Sequence, residues 1–231
     1  MIAQVASVLV RRVYQPLIAR FPALSTLIRR VVVTAARTGY SRTPRAVPDR
    51  HELPELLNRR GLLGTGVEIG VQEGVYSGQL LTGWRGERLI SVDPWLAAPS
   101  EEWVNTDNVE QPAHEQRHAT TVTRLAPFGP RSTIWRMTSE EASGDVPDRS
   151  LDFVYIDARH DYTSVLEDVS LWYPKVRPGG LLAGHDYVDG LFPEGDFGVK
   201  RAVDEYLKGK GLQATPCFAE ATFATWMVIV R

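Results

Sequence analysis

From residue 65 onward the chain alternates short β-branched apolar runs with stretches of helical period. No other feature constrains its fold as tightly. TGVEIGV (65–71), RLISVDPW (88–95), STIWRMT (132–138) and LDFVYIDA (151–158) read as strands, and a fifth follows the Gly179-Gly180 turn. Helical stretches fall between them: one reaching Leu80-Leu81, one over 115–128, and one from Tyr162 to Tyr173. In the last, Val165, Leu166, Val169, Trp172 and Tyr173 recur at the three-to-four spacing of a single face. FGVKRAVDEYLKGKG adds a helix with Phe197, Val199, Val203, Tyr206 and Leu207 on one side and a glycine at its end. QATPCFAE and FATWMVIV then close the chain as a hairpin. Such alternation builds an α/β domain: a mainly parallel sheet, helices on both faces, and here one antiparallel strand.

The chain ahead of this domain differs in character. Of its 231 residues, the first 48 hold eight arginines and no Asp, Glu or Lys. From Asp49 onward 18 basic and 28 acidic residues remain, a balance of −10. Residues 1–48 therefore read as a basic amphipathic helical extension, broken near Pro16 and Pro22, and 49–231 as the domain itself. SRTPRAVPDR (41–50) reads as the linker, and HELPELLNRRG after it as a short helix. The extension suits packing against the domain or a second subunit of a homo-oligomer. It also suits peripheral attachment to anionic lipid. Nucleic acid is not expected as a partner, because the body is acidic where a phosphate-binding surface would have to continue. The extension lacks the basic start and small-residue cleavage site of a secretory leader. The lone cysteine, Cys217, excludes an internal disulfide and suits a reducing, cytoplasmic setting, at most peripheral to the inner face of a membrane.

In open α/β sheets ligands bind beyond the carboxyl ends of the strands. After the first strand comes Glu68-Ile-Gly70, then Gly74 and Ser77. Glycines there let the backbone turn tightly beside a ligand, and the next helix offers free N–H groups. The spacing is neither the GxGxxG of dinucleotide enzymes nor a phosphate loop. Asp93, 19 residues beyond Gly74, can accept hydrogen bonds from a ribose diol. Together these two features favour a nucleoside ligand without distinguishing NAD from S-adenosylmethionine. The fourth strand ends in FVYIDARHDY, four ionisable residues in a row of five, and the fifth in GHDY. Asp161 suits an N-cap for the following helix. Arg159 suits either solvent or an anionic acceptor.

The succession EIGxxxG, VDPW, IDARHDY and GGLLAGHDY resembles the class I S-adenosylmethionine-dependent methyltransferases, over about residues 60 to 230. It looks closest to a bacterial small-molecule branch carrying IDxxHxY and GGxxxGHDY. The resemblance implies a Rossmann-like sheet of seven strands with the last antiparallel, and S-adenosylmethionine as cofactor. It implies that Glu68, Gly70 and Gly74 lie along the methionine and ribose, with Ser77 beside them and Asp93 on the ribose hydroxyls. Trp95 and the Thr138-Ser139-Glu140 turn would border the adenine. Divalent-metal O-methyltransferases carry ligands at positions matching Asp157, His185 and Asp186. His185 replaces an acid there; magnesium prefers oxygen, whereas imidazole suits manganese, iron, nickel or zinc better. His160 stands where a basic residue approaches the acceptor hydroxyl, and an imidazole titrating near neutrality could take its proton, with Asp157 beside it. The implied reaction is O-methylation of a small-molecule acceptor: a sugar, a phenol, or a glycolipid or natural-product precursor. Residues 96–112, with Trp103, are expected to select it. A NAD-dependent oxidoreductase and a non-catalytic scaffold acting through the basic helices are the competing readings.

Overall fold

The computed structural model describes residues 49–99, 105–217, 220 and 223–231. The basic extension and its proposed helices, and Trp103 with residues 100–104, lie outside the described residues. Among those described, no helix is long and apolar enough to cross a membrane.

After a 3₁₀ turn at Arg50–Glu52, the elements run α1 (Leu53–Arg59), β1 (Thr65–Ile69), α2 (Val75–Gly83), β2 (Arg88–Val92), α3 (Gln111–Leu125), β3 (Ser132–Trp135), α4 (Ser139–Gly144), β4 (Leu151–Ile156), α5 (Tyr162–Trp172), β5 (Val176–Gly184), β6 (Asp189–Phe192), β7 (Gly195–Gly198), α6 (Val199–Gly209), β8 (Thr215–Pro216) and β9 (Trp226–Ile229). Seven strands form one sheet in the order β3-β2-β1-β4-β5-β9-β8. The first five are mutually parallel, and β9 runs antiparallel to both β5 and β8. This is the expected architecture.

Strand side chains alternate between faces. Val67, Ile69, Val154, Ile156 and Leu182 enter one core with Val165, Val169 and Trp172 of α5 and Ala202, Val203 and Leu207 of α6. Phe153, Tyr155, Leu181 and Ala183 enter the other, with α1 and α2. Because both faces are covered, the strands read as unbroken apolar runs.

The strands are shorter at their carboxyl ends than their apolar runs imply. β1 stops at Ile69, β2 at Val92, β3 at Trp135 and β4 at Ile156. The residues carrying chemistry therefore stand on loops, yet the ladder still aligns them. Gly70 N donates to Val92 O, Asp93 N to Trp135 O, Asp157 N to Ile69 O and His185 N to Ile156 O. The order of strands reverses between β1 and β4, which opens a crevice at the switch point.

Several elements differ from the sequence reading. Phe197 belongs to β7, and the helix starts two residues later at Val199. Residues 189–198 form a β-hairpin whose turn is Pro193-Glu194. Its strands are four residues each and rich in glycine, so they carry no period. β5 already begins at Val176, ahead of the glycine pair, with a register irregularity opposite Leu151–Phe153. α3 starts at Gln111 rather than 115, with a proline in its first turn. α4 is a further helix, marked by the Thr138/Glu141 capping box. Asp161 caps α5 as expected, accepting from Ser164 N at 3.0 Å.

One acid is buried inside this frame. Glu68 is 2% exposed and accepts from the Ser77 hydroxyl, which lies 3.0 Å from that of Ser91. Burial lifts its pKa to about 8, although the Ser77 hydrogen bond opposes the shift. A carboxyl whose pKa is higher folded than unfolded stabilises the fold below its unfolded value, and that contribution is lost as pH rises. Thermal midpoints of the wild-type protein should therefore fall between about pH 4.5 and pH 8. Glu68→Gln should show a visibly shallower decline in the same buffers, and equal slopes would remove Glu68 as the cause.

Candidate active site

The chain at the end of β1 must cross the end of β4 closely. Gly70 has φ +84°, and a β-carbon there would lie 2.1 Å from the Asp157 carbonyl oxygen. Only glycine fits. Gly74 follows in the left-handed region at φ +71° and leads into α2. Asp93 holds the loop between them. Its Oδ2 accepts from the backbone N–H of Val71 and Gln72 at 2.9 and 3.0 Å, and its Oδ1 from Trp95 N at 2.7 Å. The Trp95 indole donates in turn to Gln72 O at 2.7 Å. Gln72 and Trp95 have φ of 50° and 45°. Non-glycine residues rarely adopt such angles, and these hydrogen bonds hold them there.

Beyond the strand ends lies a cavity of about 620 Å³. Of the anticipated residues, Glu68, Gly70, Asp93, Trp95, Thr138, Ser139, Glu140, Asp157 and His160 line it. Gly74 caps the helix behind it, and Ser77 is fully buried beneath Glu68. Ser139 also serves the wall. It donates to Asp168 and accepts from the Trp172 indole at 2.8 Å. Burial raises the Asp168 pKa to about 7 against the pull of that serine.

At the junction of β4 and β5 the charged cluster converges. His160 Nε2 lies 3.0 Å from Asp186 Oδ2 and 3.8 Å from Asp157 Oδ1. Its ring stacks on Phe197 at 4.7 Å, with Asn105 Nδ2 at 3.4 Å from Nδ1. Burial works against the imidazolium, but the carboxylates of Asp157 and Asp186 outweigh it and carry the pKa to about 10. The two carboxylates thus favour the cationic ring over the free imidazole expected of a base. Asp186 stays ionised well below the usual range: burial opposes the charge, and His160 and His185 overcome it.

Of the anticipated ligands Asp157, His185 and Asp186, two gather with His160. Donor atoms of Asp157, His160 and Asp186 all lie within 4.8 Å of one another. His185 instead places Nδ1 3.1 Å from Asp186 Oδ1 and supports that carboxylate. Asp186 makes this turn with φ 54°. His160 Nε2 is buried and lacks an aligned hydrogen-bond partner. Two carboxylates and one imidazole fit a divalent ion only once His160 has given up its proton, and such a donor set suits manganese or iron better than magnesium.

Arg50 escapes the sequence reading, which assigns it to the linker. Its Nη1 reaches Asp157 Oδ2 at 3.3 Å, and its guanidinium lies 5.1 Å above the Tyr76 ring. Tyr76 donates to the Arg50 carbonyl at 3.1 Å, and Arg50 N donates to Glu220 at 2.7 Å. The chain entering the domain is thus fastened across the cavity's edge. Only the basic character of that stretch hints at this.

Known proteins agree with the geometry. Residues 67–187, just over half of the chain, match the Methyltransf_24 family, described as a methyltransferase domain. An O-methyltransferase from Bacillus cereus in complex with SAH superposes with TM-score 0.56 at 18% identity, covering 90% of this chain and 91% of that one. The O-methyltransferase TomG from Streptomyces achromogenes, involved in tomaymycin synthesis and bound to SAM, gives 0.52 at 19% identity over 79% and 80%. At such identities the likeness is one of fold. An uncharacterised mimivirus protein, R132, is 27% identical over 125 residues, 54% of this chain and 52% of its own. A Sinorhizobium fredii protein, y4gI, is 38% identical over 55 residues, 24% of this chain and 6% of its own. The chain thus spans about half the length of the first of these curated relatives and far less of the second. With its match across the glycine turn, the Asp93 loop and both charged strand ends, the chain belongs to the methyltransferase-domain family.

Proposed function

We propose that the protein is an S-adenosylmethionine-dependent O-methyltransferase acting on a small hydroxylated acceptor such as a sugar, a phenol, or a glycolipid or natural-product precursor. One observation carries the reading: a single cavity is lined both by the glycine turn with its Asp93 loop and by Asp157 and His160. A nucleoside sulfonium at the first would present its methyl group towards the second.

Methyl transfer requires alignment and a nucleophile relieved of its proton. The acceptor oxygen attacks the methyl carbon, the carbon–sulfur bond breaks, and its electron pair remains on sulfur as a neutral thioether. The His160 cation favours the oxygen as it becomes anionic, and the hydroxyl proton passes to the Asp157 carboxylate and then to water. Asp186 and Phe197 hold His160 in place. With His160 deprotonated, a divalent ion held by Asp157, His160 and Asp186 would take the place of the imidazolium and lower the acceptor's pKa. Arg50 beside Asp157 adds positive charge at the same edge. The N-terminal basic segment is compatible with a bulky or membrane-borne acceptor.

Calorimetric titration tests the reading directly. S-adenosylhomocysteine should bind with a micromolar constant and NADH should not; the reverse result would transfer the protein to the oxidoreductases. Asp157→Asn and Asp186→Asn should each lower turnover at least about 100-fold. Affinity for S-adenosylhomocysteine should stay within about tenfold, roughly 1.4 kcal/mol. Asparagine is chosen because it tolerates the left-handed backbone at position 186. Normal turnover in either variant would remove that carboxylate from the chemistry. Dialysis against a chelator should cost at least about tenfold in rate, with manganese restoring it, if the fit of the donor set reflects use. Unchanged turnover would assign the cluster to the acceptor alone.

A further inference from the structure

His114, on α3, has no part in the chemistry above. It is 5% exposed and lines the cavity. Its Nε2 has no hydrogen-bond partner among the described residues. A buried polar atom left unpaired is unfavourable, so a ligand atom is the natural partner. Burial and the nearby Arg117 lower its pKa, while Asp93 and Asp107 pull the other way. The balance favours the neutral ring, which can offer either a donor or a lone pair. A hydroxyl group accepts both.

Asp93 shows which hydroxyl needs it. An ionised carboxylate has about four lone-pair positions. Three of Asp93's are taken by the N–H groups of Val71, Gln72 and Trp95. About one is left, whereas a ribose diol brings two hydroxyls. Arg117, one turn beyond His114, is already occupied, donating to Asp107 O at 2.9 Å.

We infer that His114 Nε2 binds one hydroxyl of the cofactor's ribose while Asp93 takes the other, a subsite that rests on the S-adenosylmethionine reading above. His114 is then a cofactor-binding residue contributed by α3, on the far side of the loop that follows β2.

Calorimetry on the full chain, with S-adenosylhomocysteine and its 2′-deoxy and 3′-deoxy analogues, tests it. The wild type should discriminate against both analogues. His114→Phe should bind S-adenosylhomocysteine about tenfold more weakly, and should no longer distinguish it from one of the two analogues. His114→Gln keeps a polar group in the wall and should fall between the two proteins, and it carries the test if the phenylalanine variant melts early. A folded variant with wild-type affinity, or one that keeps full discrimination against both analogues, overturns the inference. A wild-type protein that binds no S-adenosylhomocysteine overturns the cofactor reading and this subsite with it. Tight wild-type binding beside an indifferent variant overturns the subsite alone.

Discussion

The structure turns on how closely two backbones approach each other where β1 and β4 end. Gly70 passes so near the Asp157 carbonyl that no side chain fits between them. That contact fixes the relative height of the two strand ends on either side of the reversal in strand order. Everything above it inherits the alignment. The Val71–Gln72 turn reaches the Asp93 carboxylate on one side, and Asp157 faces His160 and Asp186 on the other. A cavity here needs no separate device to form. Strands splay to opposite sides of the switch point, and the helices that follow them leave the space open.

Charge is arranged around that cavity in two ways. At the glycine turn the acids are quieted locally: burial keeps the Glu68 proton on near neutrality, and three backbone N–H groups occupy most of the Asp93 carboxylate. At the β4–β5 end Asp186 stays ionised, because His160 and His185 stand beside it, and Arg50 pairs with Asp157. The first arrangement suits a cationic sulfonium that must be held without a strong competing ion pair. The second suits an oxygen that must become anionic. Two environments within one cavity thus give similar side chains different duties.

Much of this could be read from residues alone, for a physical reason. Buried parallel strands are continuous apolar runs, so an acid appearing at the end of one, as with Asp93 and Asp157, marks a strand end facing the crevice. The helices α5 and α6 announced themselves by period. What escaped was whatever depends on side-chain direction or on aperiodic chain. His185 and His160 are equally good ligands by spacing, but the left-handed turn at Asp186 sets His185 behind that carboxylate, and Phe197 holds His160 in front of it. Arg50 lies in a stretch whose prolines and arginines read as a linker. His114 lies within a polar helix, where nothing in the sequence separates a buried imidazole from a solvated one.

The hairpin β6–β7 ties these threads to the chain's capacity for change. Its Gly195 bridges to Asn105, and Thr106 N donates to Glu194 O at 3.0 Å, so the loop after β2 and the turn after β5 are stitched together over the imidazole. Phe197 is both a strand residue of this hairpin and the surface on which His160 lies. Diversification of the hairpin is therefore divided between its residues. Leu191 in β6, 85% exposed, is open to wide variation, as new acceptors would demand, while the turn tied to Asn105 and Thr106 and the Phe197 that carries the imidazole are held in place.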